Sequence, residues 1–242
     1  MMPILSLYSQ YSKAQDAPAN IVKPEITIGV VVFPPFTLAH TDKPGCYGPF
    51  INQAVDVFLS SGMALSVVCA PAARIYRLLQ SGEIDMTINV HSTAGIVGHV
   101  KFFNRPFSFL ELSLVSYADA TEKSVAAIRA FDYGGYRGKL SAQGYKFINV
   151  PTALDAINVF LRRRSESLIT YKGPFDYMMA TKAEPEGEPI VMERIAKVPV
   201  YFAVANNSPN ADAVNAWLAS YSLKLPVNKT FMAEPYMPAK IE

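Results

Sequence analysis

The segment that most constrains the fold spans residues 26–85, where short apolar runs alternate with amphipathic stretches. Residues 26–32 read Ile-Thr-Ile-Gly-Val-Val-Val, a β-branched run that suits a strand covered on both faces. Phe33-Pro34-Pro35-Phe36 closes it, because prolines lack the amide donors that would continue a ladder. Phe50, Ile51, Ala54, Val55, Phe58 and Leu59 then recur at helical spacing, and Gly62 can end that helix. A strand over 65–69, a helix over 72–80 stopped by Gly82, and a strand over 84–90 complete a βαβαβ unit. Such a unit builds a parallel open sheet, and these sheets bind ligands at the carboxyl ends of their strands.

The chain continues in the same mixed style. Residues 107–117 are apolar and β-prone, 125–131 and 145–150 read as strands, and Gly134-Gly135 leads into a short helix over 136–143. Thr152 is placed to N-cap a helix ending at residue 161, with Leu154, Ile157 and Leu161 on one face. A strand over 168–171, a helix over 174–181, a Glu/Pro/Gly-rich loop over 183–189 and a return strand over 199–205 follow. Val214, Trp217, Leu218 and Tyr221 mark a last helix. At 242 residues, half of them hydrophobic and 17% charged, the chain has room and core for two modest lobes. A net charge of +2 argues against a nucleic-acid partner, and Arg162-Arg163-Arg164 suits a solvated helix end.

Several pieces, taken in order, resemble the family 3 extracellular solute-binding proteins. They are Ile28-Gly29 through Pro35-Phe36, Gly48 ahead of the first helix, and Leu79-Gln80-Ser81-Gly82-Glu83-Ile84-Asp85, which is similar to the family's Leu-x-x-Gly-x-x-Asp. Phe103-Asn104-Arg105-Pro106-Phe107 and the late Asn206-Asn207-Ser208-Pro209 complete the series. Their order and spacing, rather than any single piece, carry the resemblance from residue 26 onward. It implies an α/β, two-lobe periplasmic-binding-protein fold of type II, with two mostly parallel sheets, a hinge and an interlobe cleft. Lobe 1 is expected over 26–113 and 199–242, lobe 2 over 114–198, after a flexible leader over 1–25. Crossings are expected near 113–117 and 195–200, with Phe33, Asn89 and Gly134 bordering the cleft. The resemblance further implies a periplasmic or extracytoplasmic monomer without catalysis or cofactor. Such a protein binds a small molecule and presents it to the membrane permease complex of an ABC-type uptake system. A ligand-sensing module of a signalling system and a dehydratase-like enzyme acting on small carboxylic acids are the alternatives on the same fold.

The amino-acid-binding members meet the ligand's α-carboxylate with an arginine a short way after the aspartate that matches Asp85. A gap-free count here lands on Val97. The family's acidic residue for the α-ammonium follows the strand matching 168–171, and here that place reads Tyr171-Lys172-Gly173. A buried zwitterion would lack both charge partners, so the expected ligand is not a standard α-amino acid but an anionic or neutral polar solute with an apolar part. Phe33, at the end of the first strand, is expected to pack over it. Arg74 resembles the arginine of a Pro-Trp-x-Arg element, with Ala72 in place of Trp, and supplies an anion contact. Asn89, His91 and Ser92 follow the third strand and offer polar contacts. Tyr133, Gly134 and Gly135 open the short helix, whose free amides suit an anion, and Lys172 approaches from lobe 2. Each has an ordinary reading beside the functional one: a core phenylalanine, surface cations, satisfied loop groups, a tight turn.

Hydrolase, metalloprotease and P-loop signatures do not occur, and His40, His91 and His99 lack metal-ligand spacing, so no metal is expected. Asp132 and Lys172 are the one acid–base pair an enzyme reading would use. Cys46 and Cys69 each follow a strand of the same lobe; they form either one disulfide or two free thiols. Residues 1–8 are apolar but too short, and lack a basic lead-in, for a complete signal peptide; no run is long enough for a transmembrane helix.

Overall fold

In the computed structural model, residues 24–129, 131–181 and 189–232 are described. The leader through residue 23 and the expected loop over 183–188 lie outside them. The first lobe begins with β1 (Glu25–Val30), a two-residue hairpin β2 (Leu38–Ala39) and β3 (Cys46–Tyr47), and α1 (Pro49–Leu59). It continues through β4 (Ala64–Cys69), α2 (Ala72–Ser81), β5 (Met86–Asn89) and β6 (Val100–Phe102). From there β7 (Ser108–Tyr117) leads into β8 (Ser124–Ile128), α3 (Tyr136–Ala142), β9 (Lys146–Val150), α4 (Ala153–Leu161), β10 (Ser167–Tyr171) and α5 (Lys172–Thr181). The long β11 (Ile190–Ala205) returns to the first lobe, where α6 (Ala211–Leu223) docks through the Trp217 indole N–H, donated to the Val57 carbonyl at 2.9 Å.

The strand order is β4-β1-β5-β11-β7-β10-β8-β9, with β6 also on β11. In the first lobe β1 runs parallel to β4 and β5; in the second, β8 runs parallel to β9 and β10. The antiparallel pair β7–β11 joins them, with Ser108 opposite Val200 and Tyr117 opposite Ile190. Pairing of β11 with β5 covers Tyr201 to Val204, and pairing of β7 with β10 covers Leu112 to Ser116. The chain therefore passes between lobes at residues 108–111 and 197–200, a few residues before the first expected crossing.

Local chemistry explains the elements. Gly48, at φ 136°, and Pro49 open α1, which buries Phe50, Ile51, Ala54, Val57 and Phe58. Val55 and Leu59, assigned to that face by their spacing, are 37% and 77% exposed, because the buried stripe advances to Val57 and Phe58. Gly82 caps α2 in the left-handed region at φ 77°, and a Cβ there would strike the Asn207 carbonyl. The Thr152 hydroxyl accepts the Asp155 amide at 3.1 Å, capping α4 as its sequence predicts. Cys46 and Cys69 form a disulfide across a Cα separation of 5.7 Å, tying the β2–β3 hairpin to the end of β4. The largest apolar cluster is continuous across both lobes, from Ile28, Phe36 and Phe50 through Leu110 to Ile128 and Tyr171.

Candidate functional site

The parallel strands of both lobes aim their carboxyl ends at one cleft, where the chain leaves each strand and side chains are free to converge. Residues just beyond β1, β4 and β5 (Val31, Ala70, Val90) face residues at or beyond β8, β9 and β10 (Phe131, Pro151, Tyr171). Two chambers result. The smaller, about 80 Å³, is bordered by Phe33, Phe50, Tyr76, Asn89, Leu110 and Tyr171 among others. The larger, about 370 Å³, lies among Phe33, Cys69, Ala72, Ile128, Phe131 and Thr152. Val31, Phe33 and Phe131 border both.

Aromatic rings hold the seam. Phe33 stacks on Phe36 at 5.8 Å and meets Tyr171 edge-on at 5.5 Å, so a lobe 1 ring packs directly on a lobe 2 ring. Gly173 lets α5 come down onto Phe36 and Pro35; a Cβ at that position would overlap the Phe36 ring.

Polar groups are few. The Asn89 side-chain oxygen accepts the Val90 amide at 2.8 Å and the Thr93 hydroxyl at 2.7 Å, while its amide donates to the Tyr76 hydroxyl at 3.3 Å. Burial pushes the Tyr76 pKa up, against a smaller opposing effect of Asn89. Burial also pushes the Tyr171 pKa up, helped by Tyr133, Tyr76 and Asp132. Both phenols therefore stay protonated, each keeping a proton it can donate. No Asp, Glu, Lys, Arg or His is among the residues bordering either chamber.

Of the residues singled out from sequence, Phe33 borders both chambers and Asn89 the smaller. Tyr133 is buried, its hydroxyl accepting the Ile128 amide at 2.7 Å and its ring 5.8 Å from Tyr171. Gly134 and Gly135 are exposed, and the Gly135 amide already donates to the Asp132 carboxylate at 2.5 Å. Lys172 is ion-paired with Asp176. Arg74 is exposed, and His91 lies against Phe102 and Tyr201 at 4.5 and 4.1 Å. The Ser92 hydroxyl is buried without a partner among the described residues. None of these seven borders a chamber. Sequence reasoning did not single out Tyr76, Leu110, Phe131 or Tyr171 as contacts. Leu110 and Tyr171 lie in largely apolar strands that read as core, Tyr76 stands beside Arg77 on an amphipathic helix and Phe131 just before Asp132, and only the apposition of the lobes turns them into a wall.

No family model matches the chain, and no curated protein matches it in sequence. Solved structures do. A histidine kinase sensor domain with similarity to periplasmic binding proteins superposes with a TM-score of 0.67 at 15% identity, over 83% of this chain and 94% of that one. The arginine-bound, truncated ArgBP of T. maritima gives 0.60 at 16% identity, over 81% and 95%. The BvgS VFT2 domain of Bordetella pertussis gives 0.67 at 14% identity, over 84% and 88%.

The fold is that of the periplasmic binding proteins.

At these identities the likeness concerns the fold alone. Within that periplasmic-binding-protein fold, Val97, on which the gap-free count lands, is 55% exposed and borders neither chamber, while Tyr171 borders the smaller chamber from lobe 2.

Proposed function

We propose that this chain is an extracytoplasmic small-molecule-binding protein that holds its ligand in the interlobe cleft, through Phe33 and Asn89 together with Tyr76, Phe131 and Tyr171. The observation that carries this reading is the pair of chambers at the carboxyl ends of both sets of parallel strands, walled by both lobes. The absence of a charged side chain from those walls argues that a free α-amino acid is not the ligand. The Cys46–Cys69 disulfide supports an oxidising compartment. In an uptake system such a monomer presents its solute to a permease complex. A sensing module is the second reading, favoured by the match to a histidine kinase sensor domain at a TM-score of 0.67. Binding is favoured over catalysis because the titratable groups on the chamber walls are tyrosines, while Asp132 and Lys172 are engaged by the Gly135 amide and Asp176.

The test uses the small-molecule fraction released when freshly purified protein is denatured. Added back to ligand-free protein, it should raise the melting temperature. The Val31→Trp variant, which fills the border between the chambers, should lose that response. A wild type that neither releases a small molecule nor responds to one would overturn the reading.

A further inference from the structure

Building on the binding role proposed above, we infer that the cleft is shaped for a small uncharged molecule with an apolar, ring-sized body and one carbonyl-type oxygen, which accepts hydrogen bonds from Tyr76 and Tyr171. The polar complement of the smaller chamber points there. Tyr171 is 3% exposed, borders the chamber, and its hydroxyl has no hydrogen-bond partner among the described residues. The Tyr76 hydroxyl accepts from Asn89, which leaves its own proton undonated. One donor comes from α2 of the first lobe and one from β10 of the second. Both residues border the same small chamber. A carbonyl oxygen has two lone pairs, and two unspent phenol protons facing one chamber are its natural complement. The oxygen of Asn89 cannot compete, since it already accepts two hydrogen bonds.

Charge is disfavoured on both signs. A carboxylate or ammonium entering the cleft would give up its hydration with no counter-ion on the walls. The lobe 2 cation that sequence offered, Lys172, is neutralised by Asp176, and the helix-start amide of Gly135 is occupied by the Asp132 carboxylate. Size completes the description. The smaller chamber, about 80 Å³, takes a polar head group, and the larger, about 370 Å³, takes a ring with short substituents. A ligand lying across their shared border touches Val31, Phe33 and Phe131 at once.

A matched series of probes tests the inference on the full chain by calorimetry and thermal shift at neutral pH. Acetophenone carries the ring and the carbonyl. Isopropylbenzene keeps the shape without the acceptor, and benzoate keeps the ring but adds a charge. Acetophenone should bind saturably and raise the melting temperature. Isopropylbenzene should bind roughly thirtyfold more weakly, the loss expected for two neutral hydrogen bonds, and benzoate should not saturate. Tyr171→Phe retains the ring, so it should weaken acetophenone about fivefold and leave isopropylbenzene unchanged; Tyr76→Phe should do the same, and the double variant should bring acetophenone down to the hydrocarbon's affinity. Benzoate, arginine or glutamine binding more tightly than acetophenone would overturn the ligand class and leave the binding role standing. Equal affinities for acetophenone and isopropylbenzene in the wild type would overturn the role of the two phenols. Silence from all the probes, with the released fraction still raising the melting temperature, would likewise overturn the class alone.

Discussion

Asp85 connects three parts of the chain. Its carboxylate accepts the Thr27 amide at 2.6 Å, the Asn210 side-chain amide at 3.1 Å and the Ser208 hydroxyl, so β1, the approach to β5 and the loop before α6 are fastened at one point. Asp85→Ala strands these donors in a buried site and should cost about 3 kcal/mol in urea denaturation, while ligand affinity in the folded variant stays unchanged. His91 gives a pH dependence. His91 is exposed, but its ring lies against Phe102 and Tyr201, and that desolvation lowers its pKa below the ordinary histidine value. The neutral ring is favoured in the folded state, so its contribution is complete above the ordinary value and is lost as pH falls through the lowered one. Denaturation near neutral pH and at about pH 5 should show that decline in the wild type, and His91→Gln should lack its share. At this scale the sequence was legible where a side chain serves local or fold-wide geometry, as with Asp85 and Thr152. It was opaque at Tyr76, on an amphipathic helix, and at Tyr171, at the end of an apolar strand, because an unspent hydroxyl has no sequence signature.

Among the elements, the Cys46–Cys69 bridge makes the sharpest prediction. It closes a sequence separation of 23 residues and anchors the β2–β3 hairpin to β4, which ends at the wall of the larger chamber. By loop-closure entropy its removal should cost about 3 kcal/mol. A Cys46→Ser/Cys69→Ser variant, or wild type in reductant, should therefore melt at a lower temperature. The βαβαβ unit and α4 were readable because apolar periodicity and caps agree there. The early half of β11 was not. Val191-Met192-Glu193-Arg194-Ile195-Ala196-Lys197 does not alternate and is largely exposed, and its strand state depends on pairing with β7 through a bulge between Arg194 and Ala196. The hairpin strands of two residues and the short β6 likewise owe their existence to neighbours rather than to a pattern of their own.

The whole molecule is two parallel-sheet lobes held together by β7–β11 and by the aromatic seam of Phe33, Phe36 and Tyr171. That seam places α5 close to Phe36 through Gly173. Gly173→Val should push the lobes apart, measurable as a larger radius of gyration in small-angle scattering, with weaker ligand binding and little loss of helix content. The central claim is that one ligand is gripped by both lobes at the strand ends. Hydrogen-exchange mass spectrometry, with and without the compound that raises the melting temperature, tests it most directly. Slower exchange should appear together at residues 31–33 and 70–72 of the first lobe and at 128–131 and 171–173 of the second. Protection confined to one lobe, or located away from these strand ends, would contradict it.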